Sequence, residues 1–87
     1  MPSSDYVAFT TTAGAAKTRA GHIYGLSVTS AVTGSITIYD NPSAASGPVL
    51  YTSATNPTGY IPLDIPAKFG IWVVPGSAGG FNLILGT

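Results

Sequence analysis

Nowhere in this chain do apolar residues recur at helical spacing over more than a turn. They come in short alternating runs, rich in β-branched and aromatic residues and cut off by glycine, proline and asparagine. A period of two places successive side chains on opposite faces of a strand, so such runs read as half-buried sheet. Seven runs fit. Residues 6–12 put Val7 and Phe9 on one face, and Tyr6, Ala8 and Thr10 on the other. Residues 22–29 set Tyr24, Leu26 and Val28 against Ile23, Gly25 and Ser27. Residues 35–40 alternate most cleanly, with Ile36 and Ile38 inward and Ser35, Thr37 and Tyr39 outward. Residues 49–52 form a fourth run, and residues 60–65 a fifth. Pro62 inside the fifth cannot donate to a ladder, which assigns that strand to an edge or breaks it. Residues 71–74 are apolar on both faces, as in a strand buried twice over or set against a partner. Residues 81–85 align Phe81, Leu83 and Leu85.

The connecting segments carry turn chemistry. Residues 32–34 read as a tight turn and residues 41–48 as a surface loop. Residues 56–59 (NPTG) have proline at the second position of a type I turn. Residues 75–80 read as the turn of a last hairpin. Residues 13–20 hold three alanines between Gly14 and Gly21 without an apolar stripe, and read as a loop with at most one helical turn. Short strands spaced about 8 to 12 residues apart predict an all-β fold, a small antiparallel β-sandwich or barrel of about seven strands. The expected organisation is one domain over residues 6–87. A short polar arm over residues 1–5 precedes it and is expected to be flexible.

The charge content is unusual for such a fold. Lys17, Arg19 and Lys68 balance Asp5, Asp40 and Asp64, so 7% of the 87 residues are charged and the net charge is zero. A soluble domain ordinarily carries about 25%, and β proteins use charge to keep sheet edges from pairing with one another. A β-rich surface without that defence is expected to be covered by copies of itself or by a larger scaffold. The chain has no cysteine and one histidine, which rules out a disulfide framework and a Cys/His zinc site. A core this small is commonly reinforced by oligomerisation. Three basic side chains cannot neutralise a run of phosphates, so nucleic acid is not an expected partner. No apolar run is long enough for a helical membrane span, and a membrane is not an expected partner either. Residues 1–5 have neither the basic nor the apolar part of a secretion signal, so synthesis in the cytoplasm is expected. Both Asn-x-Ser/Thr triplets, at 41–43 and 56–58, have proline in the middle and cannot accept a glycan.

Catalytic motifs are weak. The glycine-rich stretch at 76–80 lacks the Lys-Ser/Thr of a phosphate loop and reads as a turn. Residues 25–29 (GLSVT) come near a nucleophile elbow but end in threonine and lie inside a strand, so Ser27 reads as an ordinary strand residue. His22, at a strand start, reads as a half-exposed polar residue. Asp40 precedes Asn41 and Pro42, where a carboxylate caps turn amides, and Asp64 lies between Pro62 and Pro66, where it protects an edge. No catalytic residue, metal ligand or cofactor is expected. The aromatics carry more weight. Tyr6, Tyr24, Tyr39, Tyr51, Tyr60 and Trp72 supply flat amphipathic surface, which suits protein interfaces and sugar sites alike. Without a visible cluster of Asp, Asn or Arg to grip hydroxyls, an interface is favoured. Tyr39 and Tyr51, expected outward beside Thr37, and Ile71, Trp72 and Val73 are the interface candidates.

Several segments together resemble small virion proteins of tailed bacteriophages. They are residues 21–28 (GHIYGLSV), 36–41 (ITIYDN), 47–50 (GPVL) and 69–74 (FGIWVV), followed by the glycine loop and a final apolar strand. Proteins of this look are similar to head decoration or cement proteins. The resemblance implies a β-sandwich on the outer capsid surface at high copy number, made in the host cytoplasm. The implied partners are the major capsid protein and further copies of this chain. A trimer is expected by analogy with the local threefold axes of icosahedral lattices. The resemblance implies no catalytic residue. The alternative expectation is a carbohydrate- or receptor-binding module of a fibre, a tail or a secreted protein. A small hydrolase using His22 ranks below both.

Overall fold

The computed structural model describes residues 4–54 and 56–86, with side chains from residue 6 onward. Among the described residues there are eight strands: β1 (Ser4–Phe9), β2 (Gly14–Lys17), β3 (Gly21–Thr33), β4 (Ile36–Tyr39), β5 (Val49–Ser53), β6 (Gly59–Ala67), β7 (Ile71–Val74) and β8 (Ala78–Gly86). They form two four-stranded antiparallel sheets, ordered β1-β8-β3-β6 and β2-β7-β4-β5. The protein is an all-β sandwich, as its alternation predicts. Only the β4–β5 connection joins neighbours within a sheet; every other connection crosses from one sheet to the other. This is the strand order of a jelly roll.

All seven expected strands are present, and four local expectations change. Residues 14–17 form β2 in place of a loop, paired with β7 through Gly14↔Val73 and Ala15↔Trp72. Residues 75–80 do not close a hairpin, because β7 and β8 lie in different sheets; Ala78 already belongs to β8. Likewise Val32 and Thr33 are the end of β3, and the chain then crosses to β4. At the amino terminus, Ser4 and Asp5 pair with Gly86 and Leu85, so two residues of the expected arm belong to the ladder. Residues 1–3 lie outside the described residues. Edge placement of the proline-bearing strand holds: β6 ends its sheet, with Pro62 and Pro66 on it and Asp64 between them. Proline and charge both discourage further pairing there.

The core lies between the sheets. The first sheet supplies Phe9, Ile23, Leu26, Val28, Phe81, Leu83 and Leu85; the second supplies Ile36, Ile38, Ile71 and Val73. Phe9 and Phe81 are cross-strand partners whose rings stack at 5.6 Å. Truncating a fully buried side chain such as Ile38 or Phe81 to alanine costs about 2 to 5 kcal/mol.

Of several register shifts in the two sheets, those in β3 and β5 decide which side chains face the core. In β3, Ile23 pairs with Leu85 and Gly25 with Ile84, so three residues oppose two at this point. The extra residue, Tyr24, lets Ile23 and Leu26 both point into the core although their numbers have opposite parity. His22, Tyr24, Gly25 and Ser27 are thereby left on the outer side. A second bulge in β5 lies between the pairs Ile38↔Tyr51 and Tyr39↔Val49. It turns Leu50 and Tyr51 toward the core and Val49 outward.

A buried carboxylate joins the end of β4 to the start of β7. Asp40 accepts hydrogen bonds from the backbone N–H groups of Lys68 at 3.1 and 3.2 Å, Phe69 at 2.9 Å and Gly70 at 3.4 Å. Burial by itself raises its pKa, but the bonds from Phe69, Lys68 and Gly70 and the Lys68 charge outweigh burial and hold it below the ordinary 3.8. The expected turn cap is therefore real but acts on residues 68–70, far along the chain. Asn41 caps the local turn, accepting from the N–H groups of Ser43 and Ala44.

Candidate functional site

Each sheet has an outer face, and the two differ in chemistry. On the second sheet, antiparallel register sets Val49, Tyr39, Trp72 and Ala15 in one row across β5, β4, β7 and β2. Next to it, Thr52, Thr37 and Val74 form another row, with the Thr37 and Thr52 hydroxyls 3.3 Å apart. Residues opposite one another in a ladder share a face. Tyr39, Trp72 and Val74 are half-buried, and Val49 is 52% exposed. These two rows contain no charged side chain.

This register sorts the interface candidates. Tyr39 and Trp72 are direct cross-strand neighbours on the outer face; Tyr39 points outward as expected, and Trp72 is the outer member of the strand expected to be apolar on both faces. Tyr51 is not beside Thr37; that place is taken by Thr52, and the β5 bulge packs Tyr51 against the core with Ile38. Ile71 and Val73 are 0% exposed and fill the interior, so their side chains cannot meet a partner. The doubly apolar strand is explained by its central place in the sheet: one side is core, and the other is the row through Trp72.

The first sheet presents aromatic and polar groups together. One row runs through Tyr6, Ile84, Gly25 and Pro62, and the next through Ala8, Asn82, Ser27 and Tyr60. Two tyrosines lie on glycines. A Cβ added at Gly25 would meet the Tyr60 hydroxyl at 2.5 Å, and one added at Gly86 would come within 2.3 Å of the Tyr24 ring. Only a residue without a side chain leaves room for these rings. The Tyr60 hydroxyl donates to the Tyr24 carbonyl at 3.2 Å, which pins the ring at its tip. The Tyr24 ring also meets the His22 ring, with centroids 5.0 Å apart. His22 Nε2 in turn donates to Asp64 Oδ1 across the β3–β6 edge.

His22 is thus a half-exposed strand residue, as expected, with a carboxylate partner that the sequence did not suggest. Ser27 does not complete a triad with this pair. Ser27 stands opposite Asn82 and His22 opposite Gly86, four residues apart on β8 and so separated by about 13 Å. The tyrosine–glycine contacts were missed at the sequence level. A lone glycine inside a strand pattern, such as Gly25, is the signal that marks a bulge or a close approach. No family model, curated protein or solved structure matches this chain.

Proposed function

We propose that this chain is a non-enzymatic structural protein of a virion, a decoration or cement protein that docks on the outer surface of a capsid. The observation that carries this reading is the pair of uncharged rows on the outer face of the second sheet, where Val49, Tyr39 and Trp72 run side by side. Aromatic side chains of this kind are the usual anchors of protein interfaces. The low overall charge and the resemblance of several segments to phage head proteins support the same reading. Jelly-roll strand order occurs in viral capsid domains and in lectins, so the fold alone selects neither role.

The mechanism is mechanical. The Tyr39–Trp72 face and its surroundings bury apolar surface against the major capsid protein, and neighbouring copies, as trimers, bridge adjacent capsomers. Burial contributes about 25 cal/mol per Å², offset by the cost of association. Many copies then resist the internal pressure of a filled head together. The test is co-sedimentation with stripped particles of the parent virus. Wild type should pellet with the particles, and Tyr39→Ala or Trp72→Ala should weaken pelleting by tenfold or more, given that a buried aromatic anchor is worth about 2 kcal/mol. Undiminished pelleting of both variants would remove this face from the interface.

A further inference from the structure

We propose that the outer face of the first sheet binds a neutral oligosaccharide. The inference stands on the face opposite the proposed docking surface and does not depend on it.

Four observations point to that ligand. The first is the pair of tyrosines laid on glycines. Tyr60 is pinned at its hydroxyl by the Tyr24 carbonyl and yet remains 56% exposed. Ordering an exposed ring costs entropy without core burial in return. What results is a fixed aromatic platform, the preorganised kind of surface that lowers the cost of binding. The second is spacing. The Tyr60 phenol sits over Gly25, opposite Ile84, and the Tyr24 phenol over Gly86, two residues further along β8. The anchor points are about 8 Å apart, from strand rise and strand spacing. That exceeds one sugar ring, so the face suits an oligosaccharide. The C–H-lined face of a pyranose carries partial positive charge and is attracted to the negative face of an aromatic ring.

The third observation is hydrogen-bonding capacity. Ser27 and Asn82 sit side by side in the row next to the platform. Among the described residues neither has a side-chain hydrogen bond. Between them they offer a hydroxyl, two amide donors and an amide oxygen, the mixed set that sugar hydroxyls require. Here is the polar cluster that the sequence left invisible. The fourth is charge. The Asp64 carboxylate at the rim is engaged by His22. Lys17 belongs to β2 of the other sheet and its side chain reaches no further than Gly21 at the end of β3, and Arg19 and Lys68 lie in loops, so among the described residues no Lys or Arg belongs to the two rows themselves.

The experiment is a titration of the isotope-labelled protein, followed by its amide resonances, with a panel of neutral hexasaccharides. The panel comprises oligomers of glucose, mannose, galactose and N-acetylglucosamine, each at millimolar concentration, with an oligomer of galacturonic acid as the acidic comparison. At least one neutral sugar should shift the amides of Tyr24, Ser27, Tyr60 and Asn82 together. Tyr60→Ala should weaken that binding about tenfold, a typical loss for a stacking aromatic. Tyr60→Phe keeps the platform and should stay within about threefold, the effect of one exposed hydrogen bond. Tyr39→Ala on the opposite face should bind as wild type. The dispersion of each variant's spectrum reports folding in the same sample. A panel with no response overturns the proposal, as do shifts confined to the Tyr39 face and preference for the acidic oligomer.

Discussion

The two outer faces of this sandwich are built from similar aromatics by different means. On the second sheet, Tyr39 and Trp72 meet through plain cross-strand register, and their neighbours are Val49, Val74 and threonines. On the first, Tyr24 and Tyr60 leave their own rows and lie across neighbouring strands, over glycines that make room for them. Register alone gives a continuous apolar surface suited to another protein. A bulge and two glycines give separate rings framed by Ser27, Asn82 and the His22–Asp64 pair. Chemistry on a sheet face therefore depends as much on where side chains are missing as on which are present.

The strongest way to break the comparison is to unseat one face while leaving the other in place. Asp40→Ala removes the acceptor for the N–H groups of residues 68–70, which lead into β7. Buried donors left unsatisfied cost about 1 to 3 kcal/mol each, shared here among neighbouring groups, so the variant should lose about 2 to 4 kcal/mol in denaturant unfolding. Shifts in its spectrum should gather at Tyr39 and Trp72 and spare Tyr60. The same carboxylate gives an acid limb. Its folded pKa lies below 3.8, so its stabilisation is full above that value and is lost as pH falls through the lower, folded one. Thermal melts of wild type should drop through that window, and Asp40→Asn should flatten this part of the pH dependence.

Gly25→Ala comes next. Its Cβ would meet the Ile61 carbonyl oxygen at 2.6 Å as well as the Tyr60 hydroxyl, so backbone must move. A loss of about 1 to 3 kcal/mol is expected, as for other overpacked sites, together with displacement of the Tyr60 ring. Gly86→Ala is milder, because the atoms it meets belong to the outer end of the Tyr24 side chain, which can swing away. Stability should fall by less than about 1 kcal/mol while the Tyr24–His22 ring contact is lost. A melt no different from wild type, with Tyr24 ring shifts unchanged, would deny that the ring rests there. The smallest effect belongs to charge. Replacing Lys17, Arg19 and Lys68 together by glutamine should leave particle attachment nearly unchanged, since exposed ion pairs contribute about 0 to 1 kcal/mol each. Release by moderate salt would show instead that electrostatics hold the protein on.

How far the sequence reaches can be read from the same elements. Alternation located β1 and β3 to β8, because a strand with one face in the core must place apolar residues at every second position. It missed β2, whose residues GAAK carry no strand preference; this segment is a strand because β7 offers it a ladder. It misassigned Tyr51 and the phase of β3 because a bulge shifts every later side chain to the other face, and a period-two reading carries no trace of it. The hairpin expected at residues 75–80 failed for a topological reason: the chain changes sheets there. Trp72 and Tyr39 were legible as surface aromatics. The Tyr24–Gly86 and Tyr60–Gly25 contacts join residues 62 and 35 positions apart, and only folding brings them together.

The pairing of β1 with β8 has a consequence for how the protein is made. The strand that occupies an interior place in the first sheet, between β1 and β3, is the last of the eight to leave the ribosome. Synthesis at about 5 to 20 residues per second leaves β1 and β3 waiting several seconds for a shared neighbour. During that interval the edges of β1 and β3 that β8 will join stand open in a crowded cell, and their closure depends on contacts that span nearly the whole chain. Timing, more than final stability, then governs how much of the protein escapes aggregation.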